Sequence, residues 1–202
     1  MTIIENVDVT EDNVGDILNN SALAGVPIDV LIHNAGGYNG SSDDRKGDAS
    51  DKQSVKNVTP DLMMKTFQLN TLGPLRVQQA LHEQIKSPGG KVLVISTGMG
   101  SIGDNGSGRH YAYRCSKAAV NMLAKGWSCD FKEQGIAVQC VAPGMVVTEF
   151  LDPELMKSYG AMPVETSVAG LVKVIDNMNM DNTGKYMCVY RDKPPQEYPA
   201  GW

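Results

Sequence analysis

Short apolar runs alternate along this chain with longer segments in which apolar residues recur at helical spacing. Runs that are short and uniformly apolar are typical of strands buried on both faces of a parallel sheet. Their alternation with helices predicts an α/β protein, a doubly wound parallel sheet with helices on both faces. Five strands are predicted, at residues 3–9, 26–34, 91–96, 136–141 and 185–190.

The helical segments carry recognisable start signals. Thr10-Glu11-Asp12 begins a helix that should extend to about Asn20, and Thr59-Pro60-Asp61 begins another. Gly73-Pro74 predicts a local irregularity inside the second helix. Residues 38–57 are polar and aperiodic, which predicts a surface insertion or a mobile flap. Further helices are expected at residues 112–132, 153–158 and 164–178, with irregular structure after Lys193-Pro194-Pro195.

Composition narrows the class of protein. The chain has 202 residues, 42% of them hydrophobic, which is enough for one domain spanning residues 1–202. Eighteen Lys plus Arg and 23 Asp plus Glu give a net charge of -5, which argues against nucleic acid or an anionic membrane as partner and favours a small molecule. The four cysteines lack metal-ligand spacing, so no metal site is predicted. The start of the chain lacks a signal-peptide pattern, so a cytoplasmic protein is expected.

A tyrosine and a lysine lie one turn apart on a predicted helix, in the order Y-x-x-x-K. Tyr113 and Lys117 therefore share a face. A free phenol titrates near about 10, so exchanging a proton at neutral pH requires a nearby positive charge, which Lys117 can supply. Tyr111 has Cys115 at the same spacing and lacks this help. Because Tyr and Lys often meet at this spacing by chance, the pair alone is weak support for chemistry.

Two hydroxyl residues stand just upstream, where a predicted strand ends. Ser96 and Thr97 close the strand and are followed by a glycine-rich turn at residues 98–103. Hydroxyls at the carboxyl end of a parallel strand face the ligand crevice of an open α/β sheet. The alternative is that they cap the strand end. The presence of Tyr113 and Lys117 favours the functional interpretation.

These segments together resemble the short-chain dehydrogenase/reductase family, and in particular its C-factor and sniffer-type carbonyl reductase branch. The resemblance extends from residue 2 to residue 202. It implies a Rossmann-like fold and hydride transfer between NAD(P)H and a carbonyl or alcohol substrate. Its anchors are residues 98–102 with 111–119, Asp8-Val9-Thr10, Asn34-Ala35-Gly36-Gly37, Asn70-Thr71 and residues 143–148.

The resemblance assigns catalytic roles to individual positions. Tyr113 is the expected acid/base, and Lys117 lowers the pKa of that phenol and holds the nicotinamide ribose. Asn70 is expected to anchor a water that links the lysine to solvent, although by composition alone it could equally be a polar residue at a helix irregularity. For the substrate-orienting hydroxyl, Thr97 occupies the position at which the family usually has serine. Ser96 is the second choice for that role.

The resemblance also assigns the cofactor contacts. Asp8 and Val9 match the pair at the adenine edge, and Asn34, Ala35 and Gly36 match the turn beside the adenine ribose. A plain strand-end turn is the alternative for the latter three. Four further positions resemble the segment that packs on the nicotinamide and binds its carboxamide: Pro143, Gly144, Val146 and Thr148.

The family's opening segment has no counterpart in this sequence. That segment is a strand, a T-G-x-x-x-G-x-G turn, a helix and a second strand that selects NAD or NADP. The fold is therefore expected to be N-terminally truncated, with the first two strands and the glycine-rich turn absent. The branch resemblance favours NADP, with NAD as the alternative. A gap two strands wide would leave a sheet edge open, so the 202-residue chain alone is expected to aggregate or to bind NAD(P)H negligibly.

Three hypotheses remain open at this point. The first is a carbonyl reductase whose chain is a shortened version of a longer enzyme. The second is a noncatalytic relative that acts as a signalling or partner-binding protein, suggested by the absent pyrophosphate site. The third is an epimerase or dehydratase, whose relatives share Y-x-x-x-K but have a longer C-terminal substrate region. The family resemblance makes a homodimer or a homotetramer possible.

Overall fold

The computed structural model describes residues 1–38, 49–148 and 153–202. In these residues a five-stranded sheet has the order β1-β2-β3-β4-β5. The first four strands are parallel to one another, and β5 is antiparallel to β4. The strands are β1 (Val30–His33), β2 (Lys91–Ile95), β3 (Ala137–Ala142), β4 (Tyr186–Cys188) and β5 (Gln196–Glu197).

Helices connect the parallel strands, as right-handed crossover topology requires. The second predicted helix is divided into three parts, with a π-helical turn at Gln68–Leu72 between α3 and α4. The helices are α1 (Val14–Asn19), α2 (Ala49–Lys52), α3 (Pro60–Phe67), α4 (Gly73–Leu81), α5 (Tyr111–Asp130), α6 (Pro153–Ser158) and α7 (Val164–Asn177).

The core surrounds the middle of the sheet. All six residues of β3 are buried, as are the three central residues of β2. On one face, Val92, Val138 and Cys140 pack against Val120 and Trp127 of α5. On the other face, a second cluster joins β2 and β3 to α7 and the segment after it. Burial on both faces explains why these strands were recognisable as continuous apolar runs.

The predicted strand at residues 3–9 is wrong, because these residues are irregular in the structure. A strand needs a hydrogen-bonded neighbour, and β1 pairs only with β2 among the described residues. The helix after it also begins later than predicted, at Val14. Asp8 accepts hydrogen bonds from the backbone N–H and the hydroxyl of Thr10, at 2.9 and 2.8 Å, and such local bonds compete with a helical start.

Two other predicted boundaries differ from the structure. The apolar run at residues 26–34 yields only Val30–His33 as a strand, with Ile28 forming an isolated bridge to Ile85. The short strand β5 was missed, because the prolines before it suggested irregular structure throughout. The predicted insertion at residues 38–57 contains the short helix α2, while residues 39–48 lie outside the described part.

The irregularity predicted at Gly73-Pro74 is confirmed. The π-helical turn ends where Gly73 begins α4, and a Cβ on Gly73 would lie 2.8 Å from Cγ2 of Val9. The glycine therefore allows residue 9 to pack directly on the helix. π-helical turns are frequent at functional sites, and this one contains Asn70.

Candidate active site

Four segments converge at the carboxyl ends of β1 and β2. They are the turn after β1, the end of β2, the π-helical turn and the first two turns of α5. A Cβ built on Gly36 would lie 3.1 Å from Oδ1 of Asn70 and 3.3 Å from Nζ of Lys117. The turn, the amide and the ammonium group are thus in direct proximity, at the edge where parallel α/β sheets bind ligands.

The side chain of Tyr113 lies in a buried environment at the start of α5. Only 8% of the residue is exposed, whereas Tyr111 is 38% exposed. Burial raises the pKa of the Tyr113 phenol, the neighbouring Tyr38 raises it further, and a hydrogen bond with the Thr97 side chain opposes these effects. The pKa of the phenol is therefore raised, and not lowered by Lys117 as the sequence suggested, so the phenol holds its proton at neutral pH. The structure places Thr97, but not Tyr111, beside the reactive group expected from the sequence.

Lys117 lies one helical turn after Tyr113 and is also buried, with 6% of the residue exposed. Its Nζ donates a hydrogen bond to the carbonyl oxygen of Ile95 at 3.1 Å. Burial lowers the pKa of Lys117 to about 8, an effect that the nearby Cys140 opposes. The charge of this ammonium group is consequently lost at a lower pH than that of a surface lysine.

Asn70 joins the turn after β1 to α5. Its Oδ1 accepts a hydrogen bond from the backbone N–H of Gly37 at 2.9 Å, and its Nδ2 donates to the Gly37 carbonyl at 2.8 Å. Nδ2 also donates to the Ser116 hydroxyl at 2.9 Å. Thr71 adds a bond from its hydroxyl to the Ser116 carbonyl at 2.8 Å. The amide is fully buried, so the π-helical turn holds residue 37 at a defined distance from the helix that carries Tyr113 and Lys117.

Ser96 and Thr97, the two candidate hydroxyls, face different surroundings. Ser96 is 3% exposed, and its Oγ donates to Oδ1 of Asn121 at 2.5 Å. Thr97 is half-buried, hydrogen-bonds Tyr113 and accepts the backbone N–H of Met99 at 3.3 Å. Residues alternate faces along a strand, which accounts for the opposite directions. The structure brings Thr97 to Tyr113 and places Ser96 against the inner side of α5.

The predicted adenine-side residues are less enclosed. Asn34, Ala35 and Gly36 are exposed, as is Asp8. Hydrogen bonds with the backbone and side chain of Thr10 hold the pKa of the Asp8 carboxyl below its usual value. Val9 packs on Gly73 at the start of α4, and Asp8 is bonded to its neighbour Thr10.

The predicted nicotinamide-side segment follows β3. The Pro143 carbonyl accepts a hydrogen bond from the Ser167 hydroxyl at 2.7 Å, which ties this segment to α7. Gly144 has a φ of 83°, a conformation that favours glycine. Val146 forms a parallel bridge with Met162. Thr148 is the last residue described before the gap at 149–152.

Three residues of the site could not be found from the sequence, namely Tyr38, Gln53 and His110. Tyr38 lies with its ring centroid 5.1 Å from that of Tyr113, and its hydroxyl hydrogen-bonds Nδ1 of His110. Gln53 is fully buried, donates to the Tyr38 carbonyl at 2.9 Å and accepts the Tyr113 backbone N–H at 2.9 Å. It therefore caps α5, whose preceding residue His110 makes no side-chain cap. Gln53 lies in an aperiodic segment, so no sequence pattern marks it.

Among residues 1–38, 49–148 and 153–202, no three His, Cys, Asp or Glu side chains are grouped closely enough to hold a metal ion. Within the same ranges, no helix has both the length and the apolar character needed to cross a membrane.

Comparison with known proteins identifies the family. The short chain dehydrogenase profile matches residues 2–157, so the chain belongs to the short-chain dehydrogenase family, as the sequence motifs indicated. It is 32% identical to a 1-hydroxy-2-glutathionyl-2-methyl-3-butene dehydrogenase of Rhodococcus sp. strain AD45, over 92% of this chain and 76% of that protein. It is 34% identical to C-signal of Myxococcus xanthus, over 79% of this chain and 87% of that protein.

A solved structure shares the fold. The NADPH-bound carbonyl reductase from chicken fatty liver superposes with a TM-score of 0.73 at 25% identity, covering 95% of this chain and 75% of that one. The resemblance to carbonyl reductases that the sequence indicated is therefore confirmed. Because the chain belongs to this family, its functional class is that of an oxidoreductase.

Proposed function

We propose that this chain, joined to an upstream β-α-β segment that carries the glycine-rich turn, reduces a carbonyl substrate with NADPH and uses Tyr113 as the proton donor. This joined protein is the unsubstituted protein in the activity and NADPH-binding experiments below. The observation that carries the proposal is the meeting of the buried Tyr113 and Lys117 side chains with the half-buried Thr97 and the turn at Gly36. NADPH is chosen because a structurally similar carbonyl reductase binds it. The residues expected at the nicotinamide end are Lys117, Tyr113, Pro143, Gly144, Val146 and Thr148, and those at the adenine end are Asp8, Val9, Asn34, Ala35 and Gly36.

The space between Gly36, Asn70 and Lys117 fits part of such a cofactor. Residue 36 has no side chain, and a Cβ there would enter the space beside Lys117 and Asn70. Backbone can therefore approach a ligand closely while the ammonium group remains available to a ribose hydroxyl. When bound, the reduced nicotinamide supplies the hydride for the carbonyl carbon.

Tyr113 supplies the proton for the carbonyl oxygen. Because burial raises the pKa of its phenol, the group carries its proton at neutral pH, which is the form that carbonyl reduction requires. The same shift makes the phenol a weaker acid, so the phenolate left after proton donation needs a neighbouring positive charge. Alcohol oxidation would require prior removal of this proton.

Lys117 stabilises the phenolate that remains after proton donation. Its ammonium group is buried, so its charge is weakly screened and acts strongly on a phenolate one helical turn away. Thr97 hydrogen-bonds the phenol and can orient the carbonyl oxygen beside it, which favours Thr97 over Ser96 for this role. Asn70 acts by holding Gly37 and α5 in register, and the proposed water that links Lys117 to solvent would be anchored at the same turn.

Replacement of Tyr113 tests the proposal. Tyr113→Phe should reduce NADPH-dependent carbonyl reduction at least about 100-fold, because general acid catalysis is typically worth that much. NADPH affinity, measured by fluorescence titration, should be nearly unchanged, because only the transferable proton is removed. Tyr111→Phe is the matched control and should retain activity. Retention of more than about a hundredth of the rate by Tyr113→Phe would remove Tyr113 from this role.

The second candidate is a noncatalytic relative that acts as a signalling or partner-binding protein. It is favoured by the match to C-signal over 79% of this chain. The two candidates differ in one observable. A noncatalytic relative would bind partners equally well with Tyr113→Phe, and the unsubstituted protein would oxidise no NADPH with any of a panel of aldehydes, ketones and quinones.

A further inference from the structure

The last residues of the chain contact the loop after β2 through three hydrogen bonds. We call residues 196–202 the C-terminal tail and residues 98–106 the glycine loop. The Ser101 hydroxyl donates to the Gly201 carbonyl at 2.9 Å, and the Ile102 N–H donates to the backbone oxygen of Trp202 at 3.1 Å. The Tyr198 hydroxyl donates to Oδ2 of Asp104 at 2.6 Å. The tail therefore holds the middle of the glycine loop, at residues 101, 102 and 104.

The contact also explains why the loop contains glycine at particular positions. A Cβ on Gly98 would overlap the Tyr198 hydroxyl and lie 3.0 Å from Cζ of the same ring. A Cβ on Gly103 would lie 2.7 Å from the Ala200 carbonyl oxygen. Neither glycine has the positive φ that would otherwise require it. Close approach of the tail is therefore the reason for these two glycines.

Tyr198 cannot easily swing away from such a clash. Its ring stacks on Tyr186, with centroids 4.7 Å apart and an interplanar angle of 14°. Its backbone N–H donates to the Tyr186 carbonyl at 2.7 Å. Tyr186 is itself buried and stacks on Trp202 at 5.3 Å. The tail is consequently a packed part of the fold, supported by the core between the sheet and α5.

The glycine loop in turn borders the reactive groups. Gly98 directly follows Thr97, whose side chain hydrogen-bonds Tyr113. A Cβ on Gly100 would lie 3.0 Å from Cβ of Lys117, so the loop lies directly on this turn of α5. A displacement of the loop would move the Thr97 hydroxyl relative to the phenol.

We propose that Tyr198 is a positioning residue for proton transfer, acting through the glycine loop to hold Thr97 against Tyr113. This inference rests on the proposed function, since it assigns Tyr198 a part in the same reaction. Tyr198 bonds Asp104 of the glycine loop and stacks on Tyr186, so its effect on the phenol is transmitted through the loop.

A double-mutant cycle tests the coupling. Gly98→Ala should lower kcat at least about tenfold with a change in KM for NADPH below about twofold, because the clash displaces Thr97 but not the cofactor contacts. In the Tyr198→Leu background, which removes the obstructing hydroxyl and ring, the same change should cost less than about twofold. Gly106→Ala is the matched control, because a Cβ there meets nothing within 4 Å. Equal costs of Gly98→Ala in the two backgrounds would overturn the proposal.

A second measurement requires no turnover. Tyr198→Phe introduces no clash and removes only the bond to Asp104, so amide hydrogen exchange at residues 98–103 should become at least about threefold faster. Tyr159→Phe, at an exposed tyrosine, should change nothing there. Unchanged exchange in Tyr198→Phe would refute the link between tail and loop. If exchange responds and the double-mutant cycle is coupled while Tyr113→Phe retains activity, the proposed function fails but the positioning contact stands.

Discussion

The middle of the sheet, at β3, and its β1 end differ in how completely they are covered. β3 is paired on both sides, and all six of its residues are buried. β1 pairs with β2 alone among the described residues, and Ile32 in it is 47% exposed. The groups proposed for proton transfer are attached to the well-covered middle of the sheet, because Thr97 follows β2 and the other two residues lie in α5. The turn after β1, proposed for the dinucleotide, is held chiefly by the hydrogen bonds of Asn70 to Gly37.

This difference separates two properties of the site. The geometry of Tyr113 and Lys117 is set by a dense core and should resist perturbation at β1. The position of Asn34, Ala35 and Gly36 depends on a few hydrogen bonds and should be sensitive to what lies against β1. Substitutions near α5 and substitutions near β1 can therefore distinguish loss of chemistry from loss of cofactor binding.

Removing Lys117 should have the largest effect, because we propose that this residue takes part in both proton transfer and cofactor binding. Lys117→Met should lower kcat at least about 100-fold and also weaken NADPH binding, since one ammonium group serves both. Steady-state kinetics and fluorescence titration measure the two effects. In the unsubstituted protein, reduction should decline as pH rises through about 8, where the buried ammonium loses its charge. Lys125→Met on the same helix is the control. Normal NADPH affinity in Lys117→Met would contradict the joint role.

Shortening a side chain to alanine should cost more stability on β2 than on β1. Leu93→Ala on β2, at a residue with no exposure, should lower the free energy of unfolding by about 2 to 5 kcal/mol. Ile32→Ala on β1 should cost less than about 1 kcal/mol, because the side chain is already half in solvent. Urea unfolding followed by circular dichroism measures both. Equal costs would show that β1 is covered as fully as β2.

Acid should destabilise the fold through His33 at the end of β1. This residue is 5% exposed, its Nε2 lies 3.1 Å from Oε1 of Gln78, and burial lowers its pKa to about 4. Between pH 6.5 and 4 the unfolded chain binds the proton and the folded chain does not, so stability falls as pH falls through that range. The loss amounts to at most about 3 kcal/mol.

The measurement for His33 is the free energy of unfolding as a function of pH. His33→Asn should flatten the slope between pH 6.5 and 4 relative to the unsubstituted protein. An identical slope in the two proteins would show that another group titrates there.

The elements that the sequence predicted well are those with strong local patterns. The apolar run at residues 91–96 became β2, and the helix expected at residues 112–132 became α5, which places Tyr113 and Lys117 on one turn. Both depend on periodicity and burial within a short stretch of chain. The strand expected at residues 3–9 failed because pairing depends on a neighbouring strand, which no local pattern reveals.

Long-range contacts account for the remaining differences. Gln53 reaches Tyr113 across sixty positions, and Tyr38 reaches His110 across seventy-two. The sequence showed a glycine-rich turn after Thr97, but the reason for those glycines is a tail about a hundred residues later. Such contacts become visible only when the fold brings the segments together.

Isotope transfer tests the central claim most directly. NADPH deuterated at the transferable C4 position should yield product alcohol that carries deuterium on the former carbonyl carbon when the unsubstituted protein is used with a reactive aldehyde or ketone. Tyr113→Phe should bind the same cofactor but form at least about 100-fold less deuterated product in the same time. Binding of NADPH without any deuterium transfer by the unsubstituted protein would contradict the account, and equal transfer by the two proteins would contradict the role of Tyr113.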